Sequence, residues 1–396
     1  MEADYYARPA GDSFNPLSPL KSPAPSPRIS PARGAYPFTD GPAAHQGRAK
    51  RGTGMRIFRG LFAVFAALTL TFVILERLPA PVQRADAPLA PLKSANQPSA
   101  LFARAGVSPP QAAGQAFLSV YREGALQQME LEDYILGVVA AEMPVDFEPE
   151  ALKAQAVAAR TYAAHQMAQN GGSGCSRHPG ADICADSGHC QAYASEEALK
   201  KRWGQDYAAN REKLAQAVWA TRGQVMTYQG EIIEAMFHST SGGHTEDVEQ
   251  VYAQALPYLR GVVSEGEEDA PKFHSQARFS VQELNEALSG YEGARLSADE
   301  PLLDQVKILS RTESGRVGQI QVGGACLTGT QMRRALGLNS SNFTLEQQGE
   351  ELLFSMTGYG HGVGMSQVGA NAMAQKGRNY QEILKWYYTG VELEAL

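Results

Sequence analysis

Positive charge is scarce over most of this chain. The 396 residues hold 35 Lys and Arg against 42 Asp and Glu; nine and four of these lie in residues 1–59, leaving 26 basic and 38 acidic side chains beyond. That remainder has no basic stripe and no aromatic–basic interleaving, which excludes a nucleic-acid-binding surface. A dinucleotide fingerprint is also missing. The glycine-rich run Gly358 to Gly377 (GYGHGVGMSQVGANAMAQKG) fails G-x-G-x-x-G, because Val363 or Met365 stands where the last glycine belongs. Long apolar runs are lacking but for one, Gly60 to Leu75 (GLFAVFAALTLTFVIL). With Glu76-Arg77-Leu78 snorkelling at its end, it makes about 28 Å of helix, near the thickness of a bilayer core.

Basic residues crowd the N-terminal side of that run, so the positive-inside rule puts the tail in the cytoplasm and the C-terminal bulk outside the membrane. Ala85-Asp86-Ala87 offers a cleavage-like site, but the hydrophobic segment is long for a signal core and a long tail precedes it. The expected organisation is a disordered, basic, Pro-rich cytoplasmic tail (1–55), a transmembrane anchor (56–78), a Pro-rich linker (79–112) and an extracytoplasmic domain (113–396). The tail's SPxP-like repeats suit either a solvated segment or a partner-binding one. The remaining ~280 residues suffice for one large domain or two small lobes.

Within that domain, Phe117–Tyr121 and Leu126–Leu131 read as a hairpin, and Gln224–Tyr228 with Glu231–Phe237 as a second. Helices are expected over 149–169, 207–221 and 279–289, and one opens at the Asn379/Glu382 capping pair. Strands are expected over 303–310, 316–323 and 352–356. Helices mixed with antiparallel hairpins predict an α+β fold. Cys326, in an apolar stretch, is expected to be a small buried residue.

Two segments carry chemistry. In Tyr134 to Tyr162 (YILGVVAAEMPVDFEPEALKAQAVAARTY), an apolar helix delivers Glu142 at its end. Pro144 disfavours a helical Met143, and Pro149 opens a second helix. An acid beside apolar side chains has its pKa raised by desolvation; the alternative is a solvated helix-end carboxylate. In CSRHPGADICADSGHCQA, Cys175, His178, Cys184, His189 and Cys190 compete for the four places of a structural zinc site, with a disulfide as the alternative.

The Glu142 segment resembles the signature of the stage II sporulation protein D (SpoIID) family of membrane-anchored lytic transglycosylases. FHSTSGGHT (237–245) resembles that family's HS(T/A)SGG element. GYGHGVGMSQVGA is similar to its G(W/Y)GHGVGMSQ(W/Y)GA run, apart from Val368 at an often aromatic position. The resemblance covers residues 117–393. It implies a catalytic domain with a glycan groove, Glu142 as catalytic acid and Arg160 in the same active site. It implies Ser239 and Ser241 in the groove, with Tyr162, Tyr258, His361, Ser366 and Gln367 as further substrate residues; Tyr258 equally suits the core. It selects His178, Cys184, His189 and Cys190 as zinc ligands, with Cys175 spare.

The resemblance implies cleavage of the bond between N-acetylmuramic acid and N-acetylglucosamine in peptide-stripped glycan, giving 1,6-anhydro ends. A single acid–base suffices for that, and only one carboxylate is well placed by motif. The resemblance further implies a partner amidase and work in forespore engulfment. Its alternative, from the same family, is a non-catalytic amidase enhancer that binds peptidoglycan and a partner amidase.

Overall fold

The computed structural model describes residues 116–252 and 254–396. The expected tail, anchor and linker therefore lie outside the described residues. Among the described residues, no helix is long and apolar enough to cross a membrane.

Strands β1 (Phe117–Arg122) and β2 (Ala125–Glu130) pair antiparallel around Glu123 and Gly124, both at positive φ. Helix α1 (Leu131–Glu142) follows at once, with the Glu130 side chain accepting the Asp133 N–H. It buries Tyr134, Ile135, Val138 and Val139, and each such side chain contributes roughly 1.5–3 kcal/mol of transfer free energy. Ahead of Pro144, Met143 is extended at φ −123°, ψ 146°, so α1 stops at Glu142 as the sequence predicts.

Helix α2 (Pro149–Gln166) is buried on nearly every side, from Ala151 and Leu152 through Ala163 and Ala164. Its alanines let neighbours approach from all directions, which makes it the centre of the first lobe. The chain continues through β3 (Ile183–Cys184), α3 (Glu196–Trp203), α4 (Tyr207–Ala220), β4 (Gln224–Tyr228), β5 (Glu231–Ile232) and β6 (Phe237–His238).

A second lobe has its own core of Leu284, Ile320, Val322, Met332, Phe343 and Phe354. Its elements are β7 (His274–Ser280), α5 (Val281–Ala287), α6 (Leu302–Gln305), β8 (Val306–Arg311), β9 (Val317–Val322), β10 (Ala325–Thr328), α7 (Gly329–Leu336), β11 (Phe343–Gln348) and β12 (Glu351–Thr357). They form two antiparallel sheets, ordered β10-β9-β8 and β11-β12-β7. The chain then returns to the first lobe. There β13 (Met365–Ser366) pairs parallel with β6, helices α8 (Gln367–Gln375) and α9 (Tyr380–Tyr387) pack on α2, and β14 (Glu392–Ala395) pairs with β4. The described fold is mixed α+β.

Some expectations need correction. The second hairpin keeps only Glu231–Ile232 as its return strand, because residues 233–236 peel away towards the parallel β6–β13 pair. The region expected to be helical from 279 continues β7 to Ser280, whose capping box opens the helix at Val281. The strand expected from 303 begins at Val306, after a short helix. Cys326 is exposed, on the face of β10 opposite the buried Leu327.

Candidate active site and metal centre

Between the lobes runs a groove of about 910 Å³, lined by Glu142, Tyr162, the 234–239 segment, Tyr252, His361 and Gln367 of the first lobe, and Thr330, Arg333, Arg334 and Ser341 of the second. Glu142 is half-buried in its wall. Its Oε1 accepts the backbone N–H of Ala192 at 2.9 Å, and its Oε2 accepts from Gln367 Nε2 at 3.1 Å. Those donors come from the cysteine–histidine loop and the glycine-rich run, so two distant motifs meet on one carboxylate.

The glycine-rich run approaches its neighbours through glycine. A Cβ on Gly362, at φ +86°, would lie 2.4 Å from Arg316 Nη2, and one on Gly364 would lie 2.0 Å from Met236 O. These contacts are to the 236–244 segment and Arg316. Arg316 is buried and donates to Ser241 O at 2.7 Å and to His244 O at 2.8 Å. Burial pulls its pKa down to about 10, so it remains charged at neutral pH.

His361 donates Nε2–H to Phe237 O at 2.9 Å and accepts the Val363 N–H on Nδ1 at 3.1 Å. Desolvation and then the Arg333 charge lower its pKa to about 3, so the ring is neutral with both nitrogens engaged. It shapes the wall and has no proton to give to a substrate. His238 donates Nδ1–H to Val363 O at 3.1 Å, and burial, then His361, holds its pKa well below the ordinary value. Its Nε2 has no partner among the described residues, leaving an acceptor lone pair in the groove lining.

Of the residues expected at the site, Glu142, Tyr162, Ser239, His361 and Gln367 share the groove; Arg160, Ser241, Tyr258 and Ser366 do not. Arg160 is fully buried and forms a two-pronged pair with Glu132, Nε–Oε1 2.9 Å and Nη2–Oε2 2.6 Å. It also donates to Val218 O and Gln224 O, both at 3.2 Å. Glu132 lies ten residues before Glu142 on α1, about 15 Å along the axis, so this arginine staples the fold away from the groove. Ser241 is buried and donates Oγ–H to the buried Glu267 at 2.9 Å, which also accepts the Ser241 N–H at 2.6 Å. Ser366 caps α8, accepting the Gly369 N–H at 3.2 Å, and donates to Ser239 O at 3.3 Å from beneath. The Tyr258 hydroxyl accepts the Glu234 N–H at 3.2 Å.

Sequence reasoning missed Glu234, His238, Tyr252, Arg333 and Arg334. Glu234 joins Glu142 and Asp186 as a groove carboxylate; its side chain has no hydrogen-bonding partner among the described residues, and burial raises its pKa. The available signal for the arginines is T-x-x-R-R spacing, which puts Thr330, Arg333 and Arg334 on one helix face.

The metal candidate beside the groove uses a different ligand set from the expected one. Cys175 Sγ, Cys184 Sγ, His189 Nδ1 and Cys190 Sγ lie within 4.8 Å of one another. His189 Nδ1 stands 3.5, 3.4 and 3.3 Å from the three sulfurs, and Cys190 Sγ lies 4.0 Å from Cys175 Sγ. Bonds of ~2.3 Å to sulfur and ~2.0 Å to nitrogen give tetrahedral edges of about 3.5 Å (N–S) and about 3.8 Å (S–S), so the four donors fit such an ion. Cys175 takes the place expected for His178. Its N–H donates to Ala181 O at 2.9 Å, closing a loop that turns His178 outward to stack on Tyr121 at 3.7 Å.

Comparison with known proteins finds relatives over most of the chain. The SpoIID family profile (Stage II sporulation protein) matches residues 121–228, and a profile for a domain of unknown function, DUF8618, matches residues 238–364. The chain is 39% identical over 290 residues to "Stage II sporulation protein D" of Bacillus amyloliquefaciens, covering 73% of this chain and 81% of that one. It is 38% identical over 278 residues to the Bacillus subtilis (strain 168) protein of the same name, covering 70% and 78%. "Amidase enhancer" of Bacillus subtilis (strain 168) is 27% identical over 309 residues, 65% of this chain and 40% of that protein.

Proposed function

Because the chain belongs to the stage II sporulation protein D family, a family of sporulation proteins, we propose that it is a peptidoglycan lytic transglycosylase working from Glu142. The observation that carries this reading is the convergence on one groove carboxylate of two N–H donors from separate motifs, Ala192 and Gln367. Protonated Glu142 gives its proton to the glycosidic oxygen between N-acetylmuramic acid and N-acetylglucosamine, and the C1–O bond breaks. The Glu142 carboxylate then takes the proton of the muramoyl C6 hydroxyl as O6 bonds to C1, closing a 1,6-anhydro ring. No water is consumed and Glu142 ends protonated, so one group serves as acid and then base. The Ala192 and Gln367 donors hold its two oxygens in place through both steps.

The remaining parts follow from that reading. Cys175, Cys184, His189 and Cys190 would hold a structural zinc ion, which supplies a cross-link; Ala192, two residues on, is thereby fixed against Glu142. The substrate is glycan stripped of stem peptides, prepared by an amidase, during forespore engulfment. Residues 56–78 anchor the chain, with the N-terminus cytoplasmic and the domain facing the wall.

Incubation of peptide-free glycan strands with the protein should shorten them, and Glu142→Gln should abolish the shortening. Likeness to an amidase enhancer supports a second reading, in which the groove binds glycan for a partner amidase. Strands left intact by the unmodified protein, with stimulation of an added amidase, would select it.

A further inference from the structure

The second lobe carries a concavity of its own at the end of the β11-β12-β7 sheet, about 460 Å³ in volume. Strand pairing fixes what faces it. Thr344, Ser355 and Gln276 stand opposite one another across the three strands. The next row turns to the other face, where Phe343 and Met356 enter the second core. One row further, Thr357 pairs with His274 and donates its N–H to Asn342 O at 2.9 Å, so Asn342, Thr357 and His274 return to the outer face. No Asp, Glu, Lys or Arg lines this concavity, in contrast to the groove. Gln276 Nε2 donates to Ser355 Oγ at 3.1 Å, while the side chains of Asn342, Thr344, Thr357 and His274 hold no hydrogen bond among the described residues. The concavity also adjoins the groove. Ser341 and Tyr359 line the groove, one residue before Asn342 and two after Thr357, so at most about 7 Å of chain separates the two linings. The joint is fixed, since Thr240 and Tyr359 exchange backbone hydrogen bonds at 2.9 and 2.8 Å and Gly358 N–H donates to Phe273 O at 2.7 Å.

Amides and hydroxyls without a charge suit a neutral ligand whose own hydroxyl and acetamido groups both donate and accept hydrogen bonds. A charged ligand would be desolvated there with no counter-charge. Of the two sugars in the glycan, N-acetylglucosamine is neutral, and N-acetylmuramic acid freed of peptide is an anion. Resting on the reading of glycan as the ligand of the groove, we propose that the outer face of β11-β12-β7 is a distal saccharide site, which takes an N-acetylglucosamine residue of the strand as it leaves the groove. The second lobe thereby holds the strand beyond the place where Glu142 acts.

The test is binding of peptide-free glycan oligosaccharides, from disaccharide to octasaccharide, to full-chain Glu142→Gln protein, which leaves them whole. Adding Asn342→Ala and Thr344→Val removes two hydrogen-bonding partners from the distal site. Binding of the octasaccharide should weaken about five- to thirty-fold, with the disaccharide within about two-fold of the parent. The loss should persist at high salt, because no ion pair is involved. Thr344→Val alone stands at an exposed strand position that favours β-branched side chains, so it keeps the fold and should show a smaller loss in the same direction. Thr344→Ser, which keeps the hydroxyl, should bind like the parent. Equal losses on short and long strands, or no loss on either, overturn the distal site and leave the cleavage reading standing. No binding of any strand, by the unmodified protein or by Glu142→Gln, overturns both.

Discussion

Replacing Arg160 by alanine should cost stability before it costs chemistry. The side chains of Arg160 and Glu132 are 0% and 4% exposed, and the substitution removes four hydrogen bonds from the guanidinium. What remains is a buried carboxylate with the Gly223 N–H at 3.0 Å and no counter-charge, and two backbone carbonyls that lose donors. Breaking a buried pair in this way costs about 3–5 kcal/mol, several times the value of an exposed pair. For a domain of this size that lowers Tm by roughly 6–15 °C. Combining Arg160→Met with Glu132→Gln removes the orphaned charge and keeps an acceptor for Gly223, so it should recover about half the loss, a coupling of about 1.5 kcal/mol or more. Circular dichroism melts of the parent, both single variants and the double variant measure this directly. An Arg160→Ala protein with an unchanged Tm and no activity would refute the reasoning and return Arg160 to the active site.

Three further outcomes are expected. Glu234 has a folded-state pKa raised above the ordinary 4.5 by burial, so its contribution to stability is full below about pH 4.5 and is lost as pH rises through the folded value. Denaturant titrations should therefore show the parent losing stability relative to Glu234→Gln across that rise; a flat difference would count against an acid desolvated in the groove. Gly362→Ala puts a Cβ 2.4 Å from the pinned Arg316 guanidinium at φ +86° and should cost about 2–4 kcal/mol, read as a shifted urea midpoint. Cys175→Ser should lower bound zinc measured by elemental analysis, whereas His178→Ala should leave it unchanged; the reverse result would restore the ligand set first expected.

What the sequence made legible was local. Pro144 fixes the end of α1 wherever the rest of the chain goes, and Asn379 with Glu382 announces the last helix, whose capping box is present. Glu142, Gln367 and His361 could be gathered because each stands in a dense motif. What stayed hidden depends on long-range packing. Nothing near Arg160 tells that Glu132, 28 residues earlier, takes its guanidinium. Spacing alone leaves Cys175 and His178 equivalent as ligands, and the turn closed by the Cys175 N–H to Ala181 O decides between them. Ser241 and Ser239 look alike in the motif, yet Glu267 from a later loop draws Ser241 inward. Glu234, Arg333 and Arg334 share no motif, and only the meeting of two lobes brings them to one groove.

The role of Glu142 is tested most directly by mass spectrometry of the ends formed when peptide-free glycan is incubated with this protein and with Glu142→Gln. The unmodified protein should give 1,6-anhydro-muramoyl ends and the variant none. Reducing ends one water heavier would assign hydrolysis and a working role to a second carboxylate such as Glu234. Anhydro ends persisting in Glu142→Gln would contradict the assignment of Glu142 as the acid.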